Sequence, residues 1–511
     1  MNRIKIWAKQ FGPFILFSVW PFLSFVEHNK REITNYSEIT VLALSSIACG
    51  FFLIGIFKAI FRKTEIQRIA LVTGLGIATF FSFQIAVLIV QTFSGWWNIY
   101  YLVGWLIAFT SAVGFGIYAG KHKDLYKAVT FAGLVVVGIP LISVIWHSLQ
   151  PRTTYQTTTL GGTQTAKSLN DSVAKPPNIY HFILDAYSRA DVLKKYYNYD
   201  NSNFLDSLRR LNFQVIDKSF SNYPSTLYSL STTLNMDYFL PSGPNTLSKI
   251  DQNSPIFNSV KGGDSVVSTR LRELGYTMFY ANHKGSSDTN CEPNCIKGKS
   301  FLSALQFEIL RMTPLYGILD QWYNHSIRNW GFFHQKSLEP VIDRLDTLRP
   351  DPIYLYAHIL SPHSPFIYKR DCSERSEVDL QMTTNKIKQS ASTSKQHYID
   401  EIVCLNSRVS HAVQRIVNRD PGGIIIVQSD HGLYIPEGEN LDEGRAALIR
   451  ASNINFMRLP NNCSYKLPSL MSVINTFHVI FACLEQRPLK LISDRVFYVK
   501  DNGFAELPNL Q

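Results

Sequence analysis

Charge is scarce in this sequence: Asp, Glu, Lys and Arg together make up 17% of 511 residues, where about 25% is usual for soluble domains. The scarcity is greatest before residue 147. Five stretches there, 11–26, 39–61, 69–91, 99–119 and 128–146, come close to the length a helix needs to cross a hydrocarbon core. A wholly soluble chain is thereby excluded. No small-residue cleavage site follows the first stretch, which is short and carries Pro13 and Pro21, so an uncleaved anchor is expected rather than a removed signal peptide. The chain also lacks an internal repeat, a zinc-finger spacing of Cys and His, and any basic run interleaved with aromatics. Its formal charge of +11 therefore points to no nucleic-acid partner; a basic outer surface would instead suit anionic headgroups.

The charges that are present have a direction. Arg3, Lys5 and Lys9 precede the first stretch, Lys58, Arg62, Lys63 and Arg68 separate the second from the third, and Lys121, Lys123 and Lys127 separate the fourth from the fifth. The connection "TFSGWWN" at 92–98 carries none. Basic loops stay on the cytoplasmic side, so the amino terminus is expected inside and everything after Trp146 outside. Cysteine is also rare, 7 in all. Cys49 falls in a span, leaving Cys291, Cys295, Cys372, Cys404, Cys463 and Cys483 for the outer part, an even set in an oxidising compartment. Nearest plausible partners pair Cys291 with Cys295, Cys372 with Cys404, and Cys463 with Cys483, although six cysteines allow 15 connectivities.

Residues 150–177 are polar, Thr-rich and without periodicity, which reads as a linker between a membrane domain, 1–149, and an outer domain, 178–511. Beyond it, buried-strand runs alternate with helical patterns. "NIYHFILD" (178–185), "PIYLYAHILSPHSPF" (352–366) and "GGIIIVQSDHG" (422–432) are strand runs, and Ile399, Ile402, Val409, Val413 and Ile416 mark one helical face. Such alternation predicts a mostly parallel sheet covered on both sides. Asp185, His363, Asp430 and His431 all stand at or just past predicted strand ends, where open α/β sheets bind ligands. Two carboxylates and an imidazole make a divalent-metal set. A nucleophile is offered by "NYPSTLYSLSTTLNM" (222–236), a turn followed by a helix whose first turn holds Ser225 and Thr226. Amides at a helix start favour phosphate oxygens, though an ordinary Ser/Thr cap gives the same pattern.

The order of "ILDAYSR", "STLYSLSTTLNM", "AHILSPHSPF" and "QSDHG" resembles the alkaline phosphatase and sulfatase superfamily, particularly its membrane-anchored phosphoethanolamine transferases and lipoteichoic acid synthases. The resemblance implies about five spans and an outer α/β catalytic domain on a bacterial-type cytoplasmic membrane, facing the periplasm or exterior. It implies Asp185, Thr226, Asp430 and His431 as ligands of one divalent ion, zinc or manganese ahead of magnesium or calcium. Thr226 would be the nucleophile, with Ser225 the alternative, and His363 would touch the substrate phosphate or move its proton. The implied partners are a membrane phospholipid donor and an envelope glycan or lipid acceptor, and the implied reaction is headgroup transfer, with a phospho-ester or sulfo-ester hydrolase as the alternative. The sequence departs from the transferases in three ways: Asp185 stands where Glu is usual, no histidine occurs between His431 and His478, and no second complete metal set is visible. It also lacks the C/S-x-P-x-R context from which true sulfatases mature formylglycine.

Overall fold

The apolar stretches form helices because, without water, each backbone group must be satisfied within its own segment. The computed structural model describes residues 2–29, 36–85, 100–149, 176–238, 257, 265–281, 294–296, 304–316, 337–349, 352–364, 366–375, 391–433, 441–500 and 503–507. The chain divides into two units, Met1–Pro151 with Phe301–Arg328, and Arg152–Ser300 with Asn329–Gln511.

The first unit is helical: α1 (Asn2–Asn29), α2 (Ser37–Ile60), α3 (Ile66–Phe80), α4 (Tyr100–Ala119) and α5 (Lys123–Leu149). Four of these contain segments long and apolar enough to cross a membrane, whereas α3 is a shorter apolar helix within the described residues; the rest of the expected third span, 86–91, lies outside them. Pro13 has no N–H, so the carbonyl of Lys9 loses its helical donor; the Tyr126 hydroxyl from α5 donates to it at 2.7 Å. Gly74 lets α3 approach α1 closely, because a Cβ there would stand 2.8 Å from the Phe14 Cα. Small residues permit such contacts where no hydrophobic drive separates helix from lipid.

The second unit is built on a six-stranded sheet. Its strands are β1 (Ile179–Leu184), β2 (Gln214–Val215), β3 (Thr277–Ala281), β4 (Ile353–Ile359), β5 (Ile424–Gln428) and β6 (Asn455–Arg458), in the spatial order β2-β6-β5-β1-β4-β3. β1 runs parallel to β4 and β5, β4 parallel to β3, and β6 alone is reversed, antiparallel to both of its neighbours, β5 and β2. The expected mostly parallel α/β sheet is thus present. Every residue of β1, β4 and β5 is buried, as strands covered on both faces require.

Alternation divides their side chains between two cores. Phe182, Leu184, Leu355, Ile359, Ile425 and Val427 join one, and Ile179, Ile183, Tyr354, Tyr356, Ile424 and Ile426 the other. The first is covered by a long helix, Ala391–Arg419, whose Ile399, Ile402, Val409, Val413 and Ile416 are the predicted apolar face. The second is covered by Thr226–Asn235, Val266–Glu273 and Thr476–Leu484. Gly275, at φ +83°, ends Val266–Glu273 in the left-handed conformation that favours glycine, and β3 starts two residues later.

Disulfides join Cys372 to Cys404 and Cys463 to Cys483, as expected. Cys291, the proposed partner of Cys295, lies outside the described residues.

Candidate active site

Parallel pairing brings the ends of β1, β4 and β5 to one rim, with Ile183 in register with both His358 and Gln428. Asp185 follows β1, Asp430 and His431 follow β5, and His358 is the penultimate residue of β4. At Ala186 the chain turns through φ 62°, a conformation uncommon outside glycine. Its amide then donates to Asp430 Oδ1 at 3.1 Å, which also accepts from the His431 amide at 2.8 Å. Asp430 Oδ2 and Asp185 Oδ1 are buried without hydrogen-bond partners among the described residues.

The imidazole of His431 bridges these oxygens and a hydroxyl. Its Nε2 lies 3.4 Å from Asp430 Oδ2, 3.9 Å from Asp185 Oδ1 and 3.2 Å from Thr226 Oγ1. Its Nδ1 lies 2.8 Å from the Gly432 carbonyl. Donation by Nδ1–H to that carbonyl fixes the tautomer and leaves the Nε2 lone pair facing the carboxylates. Gly432 is required for packing: a Cβ there would stand 2.7 Å from the Ser452 carbonyl and 3.0 Å from Ser188 Oγ. This accounts for the glycine in "SDHG".

Thr226 is the first residue of the helix Thr226–Asn235, and Ser225 occupies the cap position without making a side-chain cap bond. One turn on, Ser229 Oγ donates to the Asp430 carbonyl at 2.6 Å, so this helix is fixed to the loop carrying the aspartate and histidine. His363 lies in the turn after β4, with Nδ1 2.6 Å from the Ser364 carbonyl.

The structure adds groups that strand-end reasoning passed over. His358 Nε2 is 3.6 Å from Asp185 Oδ2, and Asp185, His358 and Asp430 have ligand atoms within 4.8 Å of one another. The signal was available in β4, where a histidine alternates in phase with Tyr354 and Tyr356. Burial raises the Asp185 carboxyl, but His358, His431 and His363 outweigh it and hold its pKa below the ordinary range. Burial pulls Arg450 down to about 10, opposed by Asp430 and Asp185, so a guanidinium faces the carboxylates electrostatically. Glu401 is fully buried and accepts from Ser361 Oγ at 2.9 Å and from the Ile367 amide at 2.6 Å. It pins the loop that carries His363. No sequence pattern marks Arg450 or Glu401.

Two carboxylates buried this close repel and lose hydration unless cations compensate. Orphaned Asp185 Oδ1 and Asp430 Oδ2, a His431 Nε2 presented by its tautomer and a nearby Thr226 hydroxyl fit a divalent cation with oxygen and nitrogen ligands.

Residues 177–458 of the chain, more than half of its length, match the Sulfatase family model. No curated protein matches the chain. Among solved structures, the C-terminal periplasmic domain of EcEptC from Escherichia coli in complex with Zn is 12% identical, with 66% of this chain and 94% of that chain covered and a TM-score of 0.41. The C-terminal periplasmic domain of phosphoethanolamine transferase EptC from Campylobacter jejuni is 14% identical, with 63% and 98% covered and a TM-score of 0.38. The soluble domain of lipooligosaccharide phosphoethanolamine transferase A from Neisseria meningitidis is 12% identical, with 62% and 90% covered and a TM-score of 0.37.

Proposed function

The chain belongs to the sulfatase family, and from that premise we propose that it is a membrane-anchored, metal-dependent transferase moving a phosphoethanolamine-type or phosphoglycerol-type headgroup from a phospholipid to an envelope glycan or lipid. The observation carrying this reading is a hydroxyl at a helix start, Thr226 Oγ1, lying 3.2 Å from His431 Nε2 beside two buried carboxylate oxygens that have no hydrogen-bond partners among the described residues. The missing formylglycine context removes sulfate-ester hydrolysis from the leading chemistry, and a helical membrane unit suits a lipid donor.

Asp185, Asp430, His431 and Thr226 would hold the ion, with His358 flanking Asp185. When bound, it lowers the pKa of the coordinated hydroxyl and offsets charge on the phosphoryl oxygens. The chain's own groups do the rest. Amides at the start of Thr226–Asn235 orient the phosphoryl oxygens. Thr226 Oγ releases its proton to solvent and attacks phosphorus, the bond to the diacylglycerol oxygen breaks, and that oxygen leaves with a proton supplied through His363. An acceptor hydroxyl, losing its proton to His363, then displaces Thr226 in line, and the departing Thr226 oxygen takes a proton from solvent to restore the free hydroxyl.

Incubation with a phospholipid donor, followed by intact-mass and peptide mapping, tests this sequence. The headgroup phosphate is expected on Thr226. Thr226→Ala should lose the adduct and lower turnover at least a thousandfold, while metal content falls by less than half because three ligands remain. An adduct on Ser225, or unchanged turnover in Thr226→Ala, refutes the assignment. Release of free headgroup phosphate at the same rate with and without acceptor identifies a hydrolase instead.

A further inference from the structure

The helix Ala304–Arg311 lies, in sequence, between β3 and β4 of the sheet unit, yet it belongs to the unit formed by α1–α5. Its Ile309 is 5% exposed and shares a core with Phe22, Val26 and Ile39, while Leu305, Phe25, Leu42, Ala43, Phe81 and Val144 pack against that core. The Met312 carbonyl accepts from the Phe83 amide at 3.0 Å. An isolated helix of eight residues is not stable in water, so this one exists because of the surface it covers.

That surface has a definite place on the bundle. Phe22 and Val26 are near the end of α1, Ile39 near the start of α2, Phe81 just past α3, and Val144 near the end of α5. Each belongs to the end opposite the loops that carry Lys58, Arg62, Lys63 and Arg68, and Lys121 and Lys123. By the basic-loop rule this is the non-cytoplasmic end, the side on which the sheet unit's chain is expected. Only residues 297–303 separate Ala304 from Ile296, a member of the sheet unit's core. A chain of that length reaches about 28 Å when fully extended, against roughly 90 Å for the linker.

We propose that Ala304–Arg311 is a docking helix, sent from the sheet unit's sequence onto the non-cytoplasmic end of the bundle, which holds the catalytic unit to the membrane independently of the linker. The chain passes between its units near residues 151, 300 and 328, so cutting the linker leaves two passes, both bounding this helix. A short tether keeps the effective concentration of the attached unit high. The inference does not depend on which group the site transfers.

The test uses the full chain in membranes, with a protease recognition sequence inserted between Gly161 and Gly162. After cleavage and a high-salt wash, the carboxyl-terminal fragment is expected to remain in the membrane pellet. With Leu305→Glu and Ile309→Glu, at least tenfold more of it should appear in the supernatant. Release of the wild-type fragment, or equal retention of both, overturns the proposal. A second arm avoids reliance on the charged variant's folding: after linker cleavage, oxidised Val26→Cys, Ile309→Cys protein should migrate as one band that separates on reduction. Two bands under oxidising conditions, against single-cysteine controls, also overturn it.

Discussion

His181 is a residue whose chemistry is strongly altered by its surroundings. It lies on β1 with no exposure to solvent, with Tyr354 Oη 3.0 Å from its Nδ1 and the rings of Tyr356 and Phe477 at its edges. Burial, reinforced by His358, lowers its pKa from 6.5 to about 3. The unfolded chain binds a proton as pH falls through 6.5, whereas the folded chain resists until about pH 3. Its contribution to stability is therefore fully present above pH 6.5 and is lost progressively as pH falls toward 3. Thermal unfolding of the full chain in detergent at pH 7.5 and 5.0 checks this. The drop in Tm between those values should shrink in His181→Asn, even if that variant is less stable at both, and an unchanged drop would exclude His181 as a source of acid sensitivity.

Among the elements, the long helix Ala391–Arg419 bears on the site from a distance. Glu401 hydrogen-bonds the loop that carries His363, and Cys404, one turn further along, is bonded to Cys372 at a sequence separation of 32. A cross-link closing a loop of that size stabilises by about 4 kcal/mol, chiefly through the unfolded chain. The pair Cys372→Ser, Cys404→Ser should lower Tm by roughly 5–10 °C. Non-reducing peptide mapping of the wild type should recover the Cys372–Cys404 peptide, and free thiols at both positions would refute the bond. The helix Thr226–Asn235 is fixed at its other end of the site by Ser229, through the Asp430 carbonyl. The proposed nucleophile and the candidate metal ligands are thus held by one hydrogen-bonded frame.

At the scale of the whole molecule, the direction of insertion is the prediction with the widest consequence. The basic residues cluster in the α2–α3 and α4–α5 connections, which predicts a cytoplasmic place for both connections. A reporter enzyme active only outside the cytoplasm should be active when fused after Trp146 and inactive when fused near Lys63. The reversed pattern would put the active site on the wrong side for an envelope acceptor. It would also put the docking helix on the cytoplasmic side.

Local chemistry was enough for much of this protein. β-Branched runs bounded by glycine and proline located β1 and β5, the 3.6-residue period located the helix that covers them, and parallel topology alone carried Asp185, Asp430 and His431 to a common rim. These signals are legible because they depend on neighbours along the chain. His358 was harder to find: its importance comes from the register that sets it beside Ile183, and register is decided between strands distant in sequence. Arg450 and Glu401 act across elements that no spacing connects. The need for Gly432 comes from Ser188 and Ser452 pressing on it, and Ala304–Arg311 left no mark of its destination, because an apolar helical face specifies that something will cover it but not what. Which hydrophobic surfaces meet, and which buried charges face one another, was decided only when the tertiary structure brought those residues together.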